Sequence, residues 1–507
     1  MPFSSAPKFN NHASVLRAQG YTHVPIVRET LADLDTPVST YLKLASEQYT
    51  YLFESVQGGD RWGRYSIIGL PCAQVIRFKD KQMSVEVDGE IRHTEQLDHP
   101  LDAIRDFQAK YRVAPRDGLP EMIGGLVGYF GYEIVAHIEP RLDLAALHDD
   151  LETPDILLMV STDVLVFDNL SGRIYIVTLA SLDDSLAFEK AQNKLDEIVS
   201  KLGSSFAAPQ VNSSDDIAAE YEYDLHFEQS HFEDAVDRCK QYIRNGDIMQ
   251  VVLSQRLSTP YQGESIDIYR ALRTINPSPY MYFLDVGDFQ IVGSSPEILV
   301  RLQDDTVTVR PIAGTRKRGL TPQRDSELEA ELLGDEKEIA EHLMLIDLGR
   351  NDVGRIAQIG SVELSDSMTI ERYSHVMHIV SNVDAKLQPG FDAIDVLKAT
   401  FPAGTVSGAP KIRAMEIIHE LEPIKRGVYS GAVGYIGWNG NMDTAIAIRT
   451  AVIKDGVLNV QAGAGIVADS VPELEWKETR NKARVMVKAV ELATAGLGFS
   501  NSANKPN

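Results

Sequence analysis

The chain has 507 residues and a formal net charge of −24 at pH 7. Such an acidic protein is not expected to bind nucleic acid, because the phosphate backbone would repel it. Apolar residues make up 44% of the sequence, which is ordinary for a globular protein, and the length allows a large core in two lobes. The sequence shows no export signal and no segment of membrane-spanning length, so we expect a cytoplasmic protein with no membrane contact. Two cysteines, Cys72 and Cys239, are too few for a disulfide framework or a zinc site.

Short segments of alternating hydrophobicity predict a β-rich N-terminal lobe over residues 1–200. Within it, residues 164–167 are expected to pair with residues 174–177 across a tight turn. The glycine-rich run 124–132 lacks the lysine of a phosphate-binding loop and therefore indicates closely packed strands. Residues 201–224 are small and polar and include a proline, which predicts a linker.

A helix is predicted over residues 335–355, where Glu338 and Glu341 project from one face because they are three residues apart. Apolar residues surround most of its circumference, which predicts a buried helix. Asp335 as the N-cap, with Glu338 completing a capping box, would explain Glu338 without any ligand. That interpretation leaves Glu341 unexplained.

Two features between this helix and the last strands have structural as well as functional interpretations. His378 lies in an apolar alternating run, where a histidine is more often a satisfied core residue than a catalyst. The glycine-rich turn 401–411 leads into a helix, which is typical of an anion site but also of a capped structural turn.

A meander is predicted near the end of a second lobe, which spans residues 225–497, and residues 498–507 are expected to be a disordered tail. In its middle strand Arg449 shares a face with alanines, which leaves room for a bound anion; an arginine on a solvated face is an equally good interpretation. Glycines near the end of the last strand would let backbone N–H groups approach a ligand. The three strands are expected at residues 431–438, 442–453 and 457–467.

The segment after the meander repeats the acidic spacing, with Glu475 and Glu478 three residues apart. A solvated helix start, with Ser470 as the cap and Glu478 paired with Lys482, is the simpler interpretation. If the two acidic helices face each other, however, like charges about 4 Å apart repel by roughly 4 kcal/mol at an effective dielectric constant of about 20. A hard cation would relieve that repulsion, and carboxylate oxygens favour Mg²⁺.

Seven motifs in fixed order give the sequence a strong resemblance to a known family. They closely resemble those of the chorismate-using enzymes, which include anthranilate synthase component I, aminodeoxychorismate synthase component I, isochorismate synthase and salicylate synthase. The resemblance covers essentially all of residues 225–497, and the N-terminal part matches more loosely. The motifs are PIAGTR (311–316), EHLMLIDLGRNDVGR (341–355), HIVS (378–381), PAGTVSGAPK (402–411), YSGAVGY (429–435), AIAIRT (445–450) and GAGIVADSVPELEWKET (463–479).

Two positions distinguish among members of the family. Water-adding members carry a lysine where this chain has Gln250, which cannot act as a general base, so ammonia is the expected nucleophile. Aminodeoxychorismate-forming members commonly carry a lysine where this chain has Ala313. The resemblance therefore implies conversion of chorismate and ammonia to anthranilate and pyruvate through 2-amino-2-deoxyisochorismate, the first step of tryptophan biosynthesis. The alternatives are an enzyme that forms aminodeoxyisochorismate or aminodeoxychorismate, and a non-catalytic tryptophan-sensing subunit.

The family also implies a fold and a set of site residues. The fold would be α+β, a two-lobed sandwich of antiparallel β-sheets flanked by helices. Glu297 would protonate the departing C4 hydroxyl, His378 would assist pyruvate elimination and Thr405 would position the substrate. Magnesium would be held by Glu341 and Glu478, with Glu338 and Glu475 acting directly or through water. The substrate would contact Gln250, Gly314, Thr315, Tyr429, Arg449, Gly463, Ala464 and Gly465.

A partner and an inhibitor follow from the same resemblance. The chain has no cysteine-centred glutaminase motif, so a separate glutamine amidotransferase subunit would supply ammonia, in a heterotetramer. Residues 52–55 resemble the family's feedback element, with Phe53 in place of a leucine. L-tryptophan is therefore expected to bind the N-terminal lobe and inhibit the enzyme. Its expected contacts are Glu54, Ser55, Pro279, Tyr280 and Met281.

Overall fold

A computed structural model describes residues 6–45, 47–56, 63–142, 147–204, 223–373 and 376–497. Most of the predicted linker and all of the predicted tail lie outside these ranges. The described helices are α1 (Ala6–Ala18), α2 (Pro37–Leu44), α3 (Pro100–Gln108), α4 (Val135–Ile138), α5 (Ala187–Leu202), α6 (Gln229–Arg244), α7 (Ser265–Ile275), α8 (Pro322–Leu333), α9 (Glu336–Gly354), α10 (Ala393–Thr400), α11 (Lys411–Leu421) and α12 (Pro472–Thr494), with short 3-10 turns at Tyr132–Ile134 and Gly404–Val406.

The described strands form two 12-stranded sheets. The strands are β1 (His23–Leu31), β2 (Thr50–Glu54), β3 (Tyr65–Gly69), β4 (Gln74–Lys79), β5 (Gln82–Val87), β6 (Glu90–Gln96), β7 (Gly125–Phe130), β8 (Ile156–Ser161), β9 (Asp163–Asp168), β10 (Arg173–Ser181), β11 (Asp224–Leu225), β12 (Gln250–Pro260), β13 (Tyr280–Asp285), β14 (Phe289–Ser295), β15 (Ile298–Gln303), β16 (Thr306–Val309), β17 (Ile312–Lys317), β18 (Glu363–Arg372), β19 (Val376–Lys386), β20 (Gly408–Ala409), β21 (Ala432–Gly437), β22 (Met442–Ile446), β23 (Thr450–Lys454) and β24 (Val457–Ile466).

Both sheets are antiparallel and pack face to face, with helices on their outer faces. The first sheet has the order β1-β10-β9-β3-β2-β13-β14-β23-β24-β12-β11, and its twelfth strand, β20, pairs with β12. The second sheet has the order β17-β19-β16-β15-β22-β21-β7-β8-β4-β5-β6, and its twelfth strand, β18, pairs with β19. One apolar cluster fills the space between the sheets. A second lies between the first sheet and its helices, and a third lies between the second sheet and its helices. The predicted α+β sandwich of antiparallel sheets flanked by helices is confirmed.

Strands from both sides of the linker occur in each sheet. In the first sheet β2 pairs with β13, so that Glu54 lies opposite Met281, and in the second β7 pairs with β21. Residues 1–200 and 225–497 therefore share both sheets through hydrogen bonds between neighbouring strands. The division of the chain into two lobes at the linker 201–224 stays a prediction. No helix of the described residues is long and apolar enough to span a membrane.

Local expectations in the N-terminal range are confirmed. β9 and β10 form the predicted hairpin, with Val164 opposite Val177 and Phe167 opposite Ile174. The glycine-rich run forms the buried strand β7, where a Cβ atom on Gly128 would lie 2.0 Å from the carbonyl oxygen of Leu157. Glycine is required there because the neighbouring strand occupies the space of a side chain.

The predicted middle strand of the meander is wrong. Residues 442–453 do not form one strand, because β22 belongs to the second sheet and β23 to the first. The chain crosses between the sheets at residues 447–449, and Arg449 adopts a left-handed conformation with φ of 50°. A simple alternation of faces therefore does not hold through Arg449.

The expectation that α9 is buried on all sides is also wrong. His342, Leu345 and Ile346 are buried against the second sheet, but Leu343 is 47% exposed. The apolar residues occupy two faces, and only the inner face packs against the core. The predicted N-cap is confirmed, since the Asp335 carboxylate accepts hydrogen bonds from the backbone N–H groups of Lys337 and Glu338. The predicted capping box is wrong, because the backbone N–H of Asp335 donates to the carbonyl oxygen of Leu332 and the Glu338 carboxylate accepts from Arg316.

Candidate functional site

The first acidic pair lies in the N-terminal half of α9, next to the start of β12. Glu341 accepts a hydrogen bond from the Gln250 side-chain amide, with Nε2 and Oε1 3.1 Å apart. Arg316 donates to Glu338 at 3.3 Å. Burial, and then the neighbouring Glu341 carboxylate, raise the pKa of Glu338. The two carboxylates therefore repel each other, as their spacing predicted.

The second acidic pair lies at the start of α12. Burial raises the pKa of Glu475, and the Glu478 carboxylate raises it further. Glu478 pairs with Lys482 at 2.8 Å, and Lys482 also donates to the carbonyl oxygen of Gly463 at 2.9 Å. The N-cap of α12 is Val471 and not Ser470, because the Ser470 hydroxyl instead accepts the backbone N–H of Val467.

The four glutamates do not form one compact cluster. Among the described residues, no three histidine, cysteine, aspartate or glutamate side chains lie close enough together to hold a metal ion. The donor types nevertheless suit a hard divalent cation, since carboxylate oxygens are the ligands that Mg²⁺ prefers. In both pairs the neighbouring carboxylate raises a pKa, and a bound cation would relieve that repulsion.

The end of β24 forms a side-chain-free surface beside Gln250. A Cβ atom on Gly465 would lie 2.6 Å from Gln250 Nε2, and one on Gly463 would lie 2.8 Å from the Tyr429 hydroxyl. Ala464, between them, points its side chain into the apolar cluster on the helix side of the sheet. Gln250, Tyr429 and the two glycines are thus brought together, whereas Ala464 can offer only its backbone.

Glu297 is a buried carboxyl group between β14 and β15, only 5% exposed. Its Oε1 accepts a hydrogen bond from the Thr405 hydroxyl at 2.7 Å. Burial raises the pKa of Glu297 to about 8, although the Thr405 hydrogen bond and the charge of Arg449 act in the opposite direction. At neutral pH the group is therefore a carboxylic acid that can donate a proton.

His378 on β19 lies against the loop of the PIAGTR motif. Its Nδ1 is 3.0 Å from the carbonyl oxygen of Gly314 and 3.1 Å from the Thr315 hydroxyl. Burial lowers the pKa of His378 to about 4, so the imidazole is neutral near pH 7. A neutral ring that donates from Nδ1 to a carbonyl oxygen has its lone pair on Nε2, where it can accept a proton.

Arg449 connects these groups electrostatically. Burial lowers the pKa of Arg449, while the nearby Glu297 and Tyr373 oppose that effect. Its positive charge also contributes to lowering the pKa of His378. A half-buried cation close to both a carboxylic acid and a neutral imidazole can bind an anionic substrate between them.

A cavity separate from the groups around Arg449 lies between the two sheets, and the residues predicted to bind tryptophan line it. Its volume is about 340 Å³. Glu54 lines it, but the Glu54 carboxylate accepts hydrogen bonds from Tyr269 at 2.6 Å and Arg273 at 3.0 Å. The Tyr280 hydroxyl donates to Asp443 at 2.8 Å. Further residues of the wall are Phe53, Ser55, Tyr65, Met122, Pro279, Met281, Arg301, Val433 and Tyr435.

The sequence did not predict a buried ion pair that lies close to Thr405, Tyr429 and the strand of Gln250. Arg426 and Glu422 form an ion pair 2.6 Å apart, with side chains 1% and 2% exposed. The residues are four apart and precede the YSGAVGY motif, which is the signal that could have drawn attention to them. Asp443, which contacts Tyr280 and Arg301, was also missed because its partners lie far away in sequence.

Comparisons with known proteins match nearly the whole chain. A family model described as chorismate binding enzyme matches residues 50–488. Anthranilate synthase component 1 of Pseudomonas aeruginosa is 58% identical over 482 residues, which cover 94% of this chain and 97% of that protein. The same component of Neisseria meningitidis serogroup C is 54% identical over 484 residues, with coverage of 95% and 97%. The crystal structure of anthranilate synthase component I from Streptococcus pneumoniae TIGR4 has a TM-score of 0.74 and 37% identity, and the match covers 90% of this chain and 98% of that one.

Proposed function

Because the chain belongs to the chorismate binding enzyme family, we propose that it is the large subunit of an anthranilate-forming lyase. The substrates would be chorismate and ammonia, and the products anthranilate and pyruvate. The observation that carries this proposal is the pairing of a buried carboxylic acid, Glu297, with a neutral imidazole, His378, around Arg449. The reaction requires an acid for its first half and a base for its second.

In the first half, Glu297 gives its proton to the C4 hydroxyl, and the C4–O bond breaks to release water. The lone pair of ammonia forms the new bond at C2 as the ring double bonds shift from C1–C2 and C5–C6 to C1–C6 and C4–C5. The ammonium group formed at C2 then loses one proton, which balances the proton that Glu297 gave up. Gln250 supports ammonia as the nucleophile, because an amide cannot deprotonate water. Thr405 holds the Glu297 carboxyl in place through its hydrogen bond.

In the second half, Nε2 of His378 takes the proton from C2, the C2–H electrons form the C2–C3 double bond, and the C3–O bond breaks. The ring becomes aromatic, and the side chain leaves as the enolate of pyruvate, which takes up one proton to give pyruvate. Arg449, Tyr429 and the backbone of Gly463 and Gly465 bind the enolpyruvyl carboxylate, while Gly314 and Thr315 line the other side. Magnesium held by Glu341 and Glu478, with Glu338 and Glu475 beside them, would supply positive charge for the ring carboxylate.

A glutamine amidotransferase subunit is proposed as the source of ammonia, in a heterotetramer. An apolar groove of about 1050 Å³ supports this, because its lining includes both Gln250 and Glu341. Met249 is 61% exposed and Leu343 47% exposed at this groove, so a docked subunit would cover apolar surface where ammonia must enter. The names of the relatives as component 1 are consistent with a second component.

Feedback inhibition by L-tryptophan is proposed for the cavity between the sheets. Its tyrosine, phenylalanine and methionine side chains suit an indole ring, and Arg301 with Asp443 provides charges for the amino-acid end. Residues 1–200 would form the regulatory lobe and residues 225–497 the catalytic one. A cytoplasmic location is part of the proposal, supported by two buried free cysteines.

One assay separates the candidate functions. The purified chain is mixed with chorismate, magnesium and ammonium, and anthranilate fluorescence is followed together with chorismate consumption. An anthranilate-forming enzyme gives both signals. An enzyme that stops at the aminated intermediate consumes chorismate without fluorescence, and a non-catalytic sensing subunit consumes none.

A further inference from the structure

Arg426 is a fully buried arginine that hydrogen-bonds to three separate chain segments. Its side chain is 1% exposed and lies in the segment that follows α11. The guanidinium donates to the carbonyl oxygen of Val406 at 2.7 Å, to that of Val252 at 2.8 Å and to the hydroxyl of Ser430 at 3.2 Å. The planar, rigid donor set of arginine fixes the relative directions of these three bonds.

Glu422 both neutralises Arg426 and extends the network. Its two carboxylate oxygens accept from Arg426 Nε at 2.8 Å and Nη2 at 2.6 Å. The same Oε1 accepts the backbone N–H of Ser254 at 2.8 Å and the Ser254 hydroxyl at 2.9 Å. Ser254 lies opposite Gly463 in the pairing of β12 with β24.

Each segment joined by this pair carries a residue of the candidate site. Val406 follows Thr405, Ser430 follows Tyr429, and Val252 lies two residues after Gln250 on the same strand. The charge of Arg426 also lies over the Tyr429 ring, 5.6 Å from its centre.

The segment that carries Arg426 is itself held in place by Glu133. This buried glutamate accepts the backbone N–H of Arg426 at 2.8 Å and that of Gly427 at 3.0 Å. Tyr132, next to it, places its ring 4.7 Å from the Arg426 guanidinium carbon. Both ends of the arginine are thus fixed, the backbone by Glu133 and the side chain by Glu422.

A buried ion pair is weak evidence for stability, because well-packed apolar residues often serve a fold equally well. Apolar residues form no directional hydrogen bonds, whereas Arg426 donates to the carbonyl oxygens of Val406 and Val252 and to the Ser430 hydroxyl, and so fixes the orientation of these segments. We propose that Arg426, held by Glu422, is a positioning residue that sets Gln250, Thr405 and Tyr429 relative to one another; this inference rests on the function proposed above. A displacement of about 1 Å in a reacting group is enough to lower the rate by roughly 100-fold.

The test must avoid leaving one buried charge alone, since Arg426→Met by itself would leave the Glu422 carboxylate uncompensated. The double variant Arg426→Met with Glu422→Gln is neutral, and its glutamine oxygen still accepts the N–H of Ser254. With saturating ammonium and magnesium, we expect a melting temperature close to that of the wild type and a fall of about 100-fold in kcat/KM for chorismate. Arg426→Lys is the second variant; it keeps the charge but not the planar donor set, and we expect a fall of about 10-fold.

Tyr132→Phe is the matched control. It leaves the ring beside Arg426 and removes a buried hydroxyl that has no hydrogen-bond partner in the described part of the chain. It should retain wild-type kcat/KM.

Coupling to Tyr429 distinguishes positioning from a general loss of structure. Tyr429→Phe should cost several-fold less in the double variant than in the wild type, because Tyr429 is already misplaced there. The inference is overturned if kcat/KM of the double variant lies within threefold of the wild-type value. It is also overturned if Tyr429→Phe lowers kcat/KM by the same factor in the double variant as in the wild type. A wild type that makes no anthranilate refutes the proposed function, whereas an active wild type with an equally active double variant refutes only the positioning role.

Discussion

Replacement of Glu297 by glutamine gives the sharpest test of the proposed chemistry. The variant keeps the volume of the side chain and an oxygen that can accept the Thr405 hydroxyl, but it has no proton to give. Burial raises the pKa of Glu297 from 4.5 to about 8. At about 1.36 kcal/mol per pKa unit, the folded protein disfavours the ionised form by roughly 5 kcal/mol.

The sign of the pH dependence follows from that raised pKa. Glu297 is protonated and active below about pH 8, and activity is lost as the pH rises through that value. About nine molecules in ten carry the proton at pH 7 and about one in ten at pH 9, so kcat/KM should fall about tenfold between them. Free ammonia increases over the same range, which would give a bell-shaped profile at constant total ammonium. The assay therefore holds the free ammonia concentration constant while the pH is varied.

Glu297→Gln should lower kcat/KM by about 10²- to 10⁴-fold and remove the descending limb near pH 8. Asp285→Asn is the matched control, because burial also raises the pKa of Asp285 but this residue lies outside the site. Asp285→Asn should keep the wild-type kcat/KM and the fall in activity near pH 8. If Glu297→Gln retains more than a tenth of the activity, or shows the same descending limb as the wild type, Glu297 is not the acid.

Three further predictions concern the metal, the ammonia source and regulation. Glu341→Gln and Glu478→Gln should each abolish turnover without unfolding the protein, because each removes a proposed magnesium ligand; near-wild-type activity of both at saturating magnesium contradicts the assignment. Glutamine should support no reaction by the isolated chain until a glutaminase subunit is added, and glutamine-dependent turnover by the chain alone contradicts this. Ammonium should support the reaction as the pH is raised toward about 8, where free ammonia increases while Glu297 still carries its proton in about half of the molecules. In calorimetric titrations, tryptophan and a chorismate analogue should weaken each other's binding by the same factor, and Ser55→Phe should abolish tryptophan binding by filling the cavity. The regulatory site lies elsewhere if Ser55→Phe binds tryptophan as tightly as the wild type does. The same conclusion follows if the bound chorismate analogue leaves the tryptophan affinity of the wild type unchanged.

Features that depend on neighbouring residues were predictable from the sequence. The hairpin of β9 and β10 and the Asp335 cap follow from turn chemistry and capping within a few residues. The acidic spacing of Glu338 and Glu341 follows from helix geometry in the same way. The ordered motifs identified the family because each retains its residue types in a short stretch.

The tertiary structure alone decided which distant groups meet. The break between β22 and β23 depends on which sheet each half joins, and hydrophobic alternation is the same for either sheet. The ion pair of Arg426 and Glu422 looks like an ordinary exposed pair in sequence, and it is buried only because segments distant in sequence, which carry Val252, Ser254 and Val406, fold around it.

The chemistry of the site also belongs to the tertiary structure. By itself the sequence placed a glutamate at position 297, to which the family resemblance assigned the role of an acid; it could not determine that the group stays protonated at pH 7. That property comes from burial, which excludes water from the carboxyl group and outweighs the opposing effects of the Thr405 hydrogen bond and the Arg449 charge. A pKa depends on the solvation and charges around a group, and these are properties of the folded environment and not of the residue.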